Sequence, residues 1–125
     1  MKESTVKLFD DRDIEIVDTL RSLGQDRMTS RMIAFLLNQK KADSREIEVG
    51  ADLRQPEVSM AAAKLIEAGW VASKVVRNPG DSKRAKKVYR LVISPVEIVE
   101  GFKDQIAKEQ QTKVVAIEKL TNLLK

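Results

Sequence analysis

Between residues 70 and 93 stand seven cations, Lys74, Arg77, Lys83, Arg84, Lys86, Lys87 and Arg90, against one acid, Asp81. Positive charge this concentrated suits a polyanion, because each phosphate that a cation neutralises releases condensed counterions. It would equally serve a solvated hairpin that keeps the chain soluble. Ahead of this segment, at the start of a helix-forming run, come Arg54, Gln55 and Ser59. An arginine fork can bond guanine bidentately, a glutamine amide can do the same to adenine, and a serine hydroxyl reaches a base or a phosphate. Each would also fit an ordinary solvated helix position. The rest of the chain is nearly neutral: residues 1–69 hold 11 Lys/Arg and 13 Asp/Glu, and residues 94–125 hold five of each.

The missing chemistry narrows the field. With no Cys and no His among 125 residues, the chain lacks a disulfide framework, a thiolate or imidazole metal site, a Cys nucleophile and a His base. Asp10, Asp11, Asp13 and Glu15 crowd together, but a helix cap and acidic first turn explain them without a metal. The glycines are isolated, and none opens a phosphate-cradling loop. No enzymatic activity, metal or cofactor is therefore expected. Aromatic residues make up only 4%, too few for a base-stacking platform. No apolar run is long enough to span a membrane, and the charged stretch Met1 to Asp13 is not a signal peptide. A cytoplasmic location is expected, with no membrane partner.

Elements that would position these residues follow from periodicity and caps. A first helix is expected from Asp10, with Phe9 and Ile14 as a hydrophobic staple, a stripe of Ile14, Val17, Leu20 and Leu23, and Gly24 as its stop. A second runs from about Thr29, capped by Thr29 or Ser30, to Asn38. Asn38 to Asp43 reads as a turn. A short third helix starts at Asp43 or Ser44, where Asp43 and Glu46 have capping-box spacing, and ends at Gly50. The fourth starts near Pro56, with Gln55 as its N-cap, buries Val58, Ala62 and Leu65, and stops at Gly69. Trp70–Arg77 and Lys87–Ile93 read as strands joined through Asn78-Pro79-Gly80-Asp81. Ser94, Pro95 and Glu97 then start a long last helix reaching about Leu124, roughly 45 Å at 1.5 Å per residue.

The order helix, helix, helix, helix, hairpin, helix contains a helix-turn-helix around Gly50 followed by a basic wing. The expected fold is mainly α with a small β-hairpin (α+β): a winged helix-turn-helix followed by a long C-terminal helix. Residues 1–93 would form the winged helix-turn-helix domain and 94–125 a dimerisation helix. The second helix of such a motif offers its N-terminal residues to base edges in the major groove, and a wing reaches the flanking backbone or minor groove. The face opposite Val58, Ala62 and Leu65 carries Arg54, Gln55, Ser59, Met60, Ala63 and Lys64. Ala63 is small enough to allow close approach to a groove floor, and Glu57 is better suited to stabilising the helix N-terminus than to accepting from cytosine.

The segment from Met28 to Ile93 resembles the winged helix-turn-helix of MarR- and ArsR-like regulators. More narrowly, Ser44-Arg45-Glu46-Ile47, the run Ala51-Asp52-Leu53-Arg54-Gln55-Pro56-Glu57-Val58-Ser59 and the step Gly69-Trp70-Val71 are similar to a group of small archaeal predicted transcriptional regulators. The resemblance covers about half the chain. It implies a sequence-specific, dimeric binder of double-stranded DNA, with Ser44 and Arg45 joining the contacts of the recognition helix about 55–68 and the wing 71–93. Met60 stands where the superfamily often has a phosphate-binding cation, and Ala62 where Leu is usual. Metal sensing through Cys or His, common among ArsR-like proteins, is excluded.

Along the last helix, Val99, Phe102, Ile106, Val114, Ile117, Leu120 and Leu124 form an apolar stripe with Gln110 in the gap, as a short coiled coil with one irregularity would. Pairing with a second copy buries such a stripe; folding back on its own domain is the other way. No residue set identifies a small-molecule effector, and the operator is not legible. A winged-helix module that binds protein rather than DNA would share every element named here.

Overall fold

The structure is a computed structural model and describes residues 8–77, 80 and 85–125. Along them run α1 (Asp11–Ser22), α2 (Arg27–Asn38), β1 (Lys41–Asp43), α3 (Ser44–Ala51), α4 (Gln55–Glu67), β2 (Val71–Arg77), β3 (Ala85–Leu91) and α5 (Pro95–Leu123). The chain divides into two compact units, Met1–Ile93 and Ser94–Lys125. The fold is mainly α with a three-stranded antiparallel sheet in the order β1-β3-β2.

The first unit is built around α2. Its run Met32, Ile33, Ala34, Phe35 and Leu36 is completely or almost completely buried, because α1, α3 and α4 pack around it. Burial of each larger side chain contributes about 1.5–3 kcal/mol before entropy is counted. From α3 and α4 come the buried Ile47, Val58, Ala61 and Leu65, and from the sheet Ala42, Val71, Tyr89 and Leu91.

Helix α1 corrects the expected stripe. Ile14 is 47% exposed, and the inward positions are Asp13, Val17 and Leu20. An apolar count skips Asp13, yet this carboxylate is buried and satisfied. It accepts from the Asn38 amide at 2.7 Å and from the Asp10 N–H at 3.0 Å, and the Asp10 side chain accepts from its N–H at 2.9 Å. The start of α1 is thereby tied to the end of α2. With Asp10 as N-cap, Phe9 and Ile14 stand at the N′ and N4 positions expected, and the Phe9 ring lies 4.9 Å under the Arg31 guanidinium, a cation–π distance.

Helix α2 starts two residues earlier than its expected cap. Asp26 is the N-cap, accepting from the Thr29 N–H at 2.7 Å and from Thr29 Oγ1 at 3.0 Å. Thr29 and Ser30 lie inside the helix and are buried. The stretch expected to be a turn holds β1, with Lys41 opposite Arg90 and Ala42 opposite Tyr89. Three residues with one apolar side chain give no readable period, so only the neighbouring β3 makes this a strand.

The hairpin strands pair from Val71↔Leu91 to Arg77↔Ala85. The expected turn Asn78 to Asp81 falls outside the described residues except for Gly80, which has a positive φ of 84°. Of the β2 residues only Val71 is buried, and on β3 the burial ends at Tyr89, so the hairpin leaves the core after its third pair.

In the second unit, the expected capping box forms: Ser94 Oγ accepts from the Glu97 N–H and Glu97 accepts from the Ser94 N–H. The 29 residues of α5 span about 43 Å. Ile98 and Phe102 are buried, whereas Val99, Ile106, Val114, Ile117, Leu120 and Leu124 are exposed, from 37% at Ile106 to 76% at Leu124.

Asp26 supplies a stability test. Burial alone would raise its carboxyl pKa, but the Lys64 ammonium and two bonds from Thr29 outweigh that and hold it below the usual 3.8. A group with a depressed folded pKa contributes stability above its unfolded value and loses it as pH falls through the folded one. Asp26→Ala is expected to cost about 1–2 kcal/mol at neutral pH in urea unfolding. The gap to the parent should narrow only below about pH 4.

Candidate nucleic-acid interface

The turn between α3 and α4 sets the direction of α4. Helix α3 does not stop at Gly50, which is buried within it; it ends at Ala51, and Asp52 takes the left-handed conformation with φ 52°. Asp tolerates this region better than most residues, because its short polar side chain bonds locally. The Leu53 N–H then bonds Glu48 O at 3.0 Å, and the Leu53 side chain is buried. Arg54, not Gln55, is the N-cap of α4, with extended backbone. Its N–H donates to Glu57 Oε1 at 2.9 Å. Gln55 and Pro56 are therefore already helical, which Pro permits in the first turn.

Two residues of α2 brace this turn, and sequence reasoning missed both. Arg31 Nε donates to Ala51 O at 2.6 Å, closing the end of α3. Arg27 pairs with Glu57 at 3.3 Å and reaches Asp52 O at 3.5 Å. They stand at i and i+4 on one helix face, a spacing common to many surface arginines, so the sequence carried no signal for a role 20 to 30 residues away.

On α4, Val58, Ala61, Ala62 and Leu65 are buried, and Arg54, Gln55, Ser59, Met60, Ala63 and Lys64 are exposed. The inward and outward faces match the expected ones. The outward side chains differ in how committed they are. Gln55 Nε2 donates to Ser59 Oγ at 3.0 Å, one turn along. Lys64 Nζ lies 2.5 Å from Asp26 Oδ2, so its ammonium is spent on the cap of α2.

Strand β3 brings the wing cations to two grooves. In one, Lys87 and Tyr89 line a surface cleft with Ser59, Ala63 and Ile66 of α4; Ile66, 39% exposed, was not among the expected contacts. In the other, Lys86 and Lys87 lie against Ser44 and Arg45 at the start of α3. Lys86 also approaches Asp43 at 3.8 Å, a loose, solvent-screened pair. Lys87 thus stands beside both helices of the motif. Arg77 lies at the far end of β2, opposite Ala85. Lys83 and Arg84 fall outside the described residues.

Asp10 and Asp13 of the crowded acidic group act as the cap of α1. Among the described residues no three of His, Cys, Asp and Glu are grouped to hold a metal ion, and no helix is long and apolar enough to cross a membrane.

No protein-family model and no curated protein matches the chain. Solved structures do. TrmBL2, described as an archaeal chromatin protein with a novel mode of DNA binding, matches with a TM-score of 0.64 at 16% identity, over 89% of this chain and 41% of its own. The chain thus spans about two fifths of TrmBL2. A possible transcriptional regulator from Methanosarcina mazei Go1 matches with a TM-score of 0.52 at 17% identity, over 90% and 95% of the two chains. A transcriptional regulator homologue from Pyrococcus horikoshii OT3 matches with a TM-score of 0.50 at 20% identity, over 81% and 96%. At these identities the shared property is the fold: the chain has the winged helix-turn-helix architecture of archaeal and bacterial regulators.

The left-handed residue in the turn is directly testable. Asp52→Gly is expected to leave stability within about 0.5 kcal/mol, and Asp52→Val to cost about 1–3 kcal/mol, in denaturant unfolding.

Proposed function

We propose that this chain is a transcriptional regulator that binds double-stranded DNA sequence-specifically as a homodimer. Helix α4 enters the major groove, and the wing 71–93 lies on the flanking backbone or minor groove. The observation that carries this reading is the cleft in which Lys87 of the wing meets Ser59 and Ala63 on the outward face of α4. A cation and a base-reading helix face that share one groove can address one duplex together. Arg54 and Gln55, at the N-terminal turn of α4, are the base-reading candidates, where the fork and the amide have donors suited to guanine and adenine. Ser44, Arg45, Arg77, Lys83, Arg84, Lys86 and Lys87 are the phosphate contacts, Lys86 and Lys87 lying nearest the two helices. Met60 adds no charge, and Lys64 contributes less than its charge suggests because Asp26 holds it. That TrmBL2 is described as binding DNA supports the reading. In this role the protein has no catalytic step.

The second unit supplies the second copy. Val99, Ile106, Val114, Ile117, Leu120 and Leu124 form an exposed apolar stripe along α5, and pairing two such stripes removes them from water. Phe102, already buried in one chain, contributes less to that seam. Two copies would present two α4 helices to two half-sites of a pseudo-palindrome.

Fluorescence anisotropy with duplex fragments, including the region upstream of the gene, tests this across a salt series. One fragment is expected to bind far more tightly than random duplex, with affinity falling steeply as salt rises. Arg54→Ala or Gln55→Ala should cost about 1–3 kcal/mol on that fragment and little on random duplex. Lys87→Ala should weaken both and lower the salt slope by about 1, more than Lys64→Ala does. Absence of binding at low salt would instead favour a protein-binding module.

Deletion of Glu109 to Lys125 should leave a folded monomer in analytical ultracentrifugation. A deletion product that still sediments as a dimer would remove α5 as the seam.

A further inference from the structure

We infer that the outer face of the three-stranded sheet is a second duplex-binding surface, which takes the phosphate backbone of a DNA segment other than the one against α4. The inference rests on the DNA-binding reading and extends it to a face of which that reading uses only Lys86, at the tip end. Register sets Lys41 directly opposite Arg90, Arg90 opposite Ala72, and Lys74 opposite Val88. Strand alternation puts these residues on the face turned away from the buried Ala42, Val71, Tyr89 and Leu91. Lys41, Lys74 and Arg90 are exposed and rim a shallow groove floored by Ala72, Val76 and Val88.

Fold stability does not account for this arrangement. Like charges directly opposite each other across strands destabilise a sheet. No carboxylate among the described residues pairs with Lys41, Lys74 or Arg90. Asp43, the acid on this face, sits at the other end of β1 beside Lys86. Strand geometry holds Arg90 about 5 Å from Lys41 and about 7–8 Å from Lys74, with Lys41 and Lys74 about 12 Å apart on the outer strands; three unpaired cations in such a row match an extended polyanion.

The face also lies apart from the first duplex. Lys87 and Tyr89 look toward α4, so Val88 and Arg90, the alternate residues of β3, look the other way. Arg90 is five residues from the tip end of the strand at Ala85, about 17 Å along it. A duplex seated in the cleft between α4 and β3 meets the sheet through Lys87 and Tyr89, on the face opposite Lys41, Lys74 and Arg90. One protein would therefore hold two duplexes, or two segments of one, through opposite faces of the same sheet.

Capture on beads tests the inference with the full chain. A random-sequence duplex is immobilised, loaded with sparse protein, and offered a second, fluorescent random-sequence duplex. The parent is expected to retain the second duplex. The triple variant K41E/K74E/R90E, and the milder K41Q/K74Q/R90Q should reversal disturb the sheet, should bind a single duplex in anisotropy within about threefold of the parent, yet retain the second one about tenfold less. K41Q/K74Q/R90Q removes the Lys41–Arg90 repulsion, so its Tm should stay level or rise; a merely structural role would lower it, and K41E/K74E/R90E, which sets carboxylates opposite each other instead, carries no Tm criterion. Bridging that survives both variants, or single-duplex binding without bridging by the parent, overturns the inference and leaves the regulator reading intact. Capture of poly-glutamate in preference to the second duplex overturns it in favour of an acidic protein partner. Failure of the parent to bind any duplex overturns both.

Discussion

The structure depends on one helix with almost no free surface. The middle of α2 presents Met32, Ile33, Ala34, Phe35 and Leu36 in sequence, and all are buried. Five consecutive buried residues cover a full turn, so the surroundings must enclose the helix rather than lie along one stripe. Helices α1, α3 and α4 do so. The polar groups that cannot join this core are placed at its ends. Asp26 caps the start and reaches Lys64 of α4, while Asn38 closes the end onto the buried Asp13 of α1.

That enclosure also governs the surface proposed to read DNA. The orientation of α4 is set by a short turn with one left-handed residue, and α2 holds the turn from the side through Arg27 and Arg31. Both arginines bond to backbone or to a capping carboxylate, so they position the helix rather than enlarge the positive surface. With α4 fixed on its inward Val58, Ala61, Ala62 and Leu65, its polar residues have no choice of direction. Preorganisation of this kind removes part of the ordering cost of binding.

Charge is organised differently, by the period of two in the wing. Strand β3 alternates Lys86, Val88 and Arg90 with Lys87, Tyr89 and Leu91. One set faces α4 and the core, and the other faces outward beside Lys41 and Lys74. A segment that reads as a single basic block is thus split by pleating into two surfaces of opposite outlook. Pairing with β1 completes the outward one, since Lys41 joins Arg90 only across that ladder.

Much of this was legible in the chain itself. Local rules governed the helices with strong caps and the inward face of α4, because capping boxes and apolar spacing act within a few residues: Asp43 with Glu46, Ser94 with Glu97, Val58 with Leu65. The two long strands and their basic charge were equally plain. What escaped depended on partners distant in sequence. Asp13 could not be recognised as a core residue without the Asn38 amide that satisfies it. Strand β1 exists only because β3 offers it a ladder. Lys64 looked like a free cation until folding set it on Asp26, 38 residues away. The sequence alone determined which residues turn inward or outward on α4, where apolar spacing is unbroken, since periodicity is a local property of the backbone. Only the tertiary structure decided which outward charges are already spent and which remain available, since an ion pair is a matter of distance through space and not along the chain.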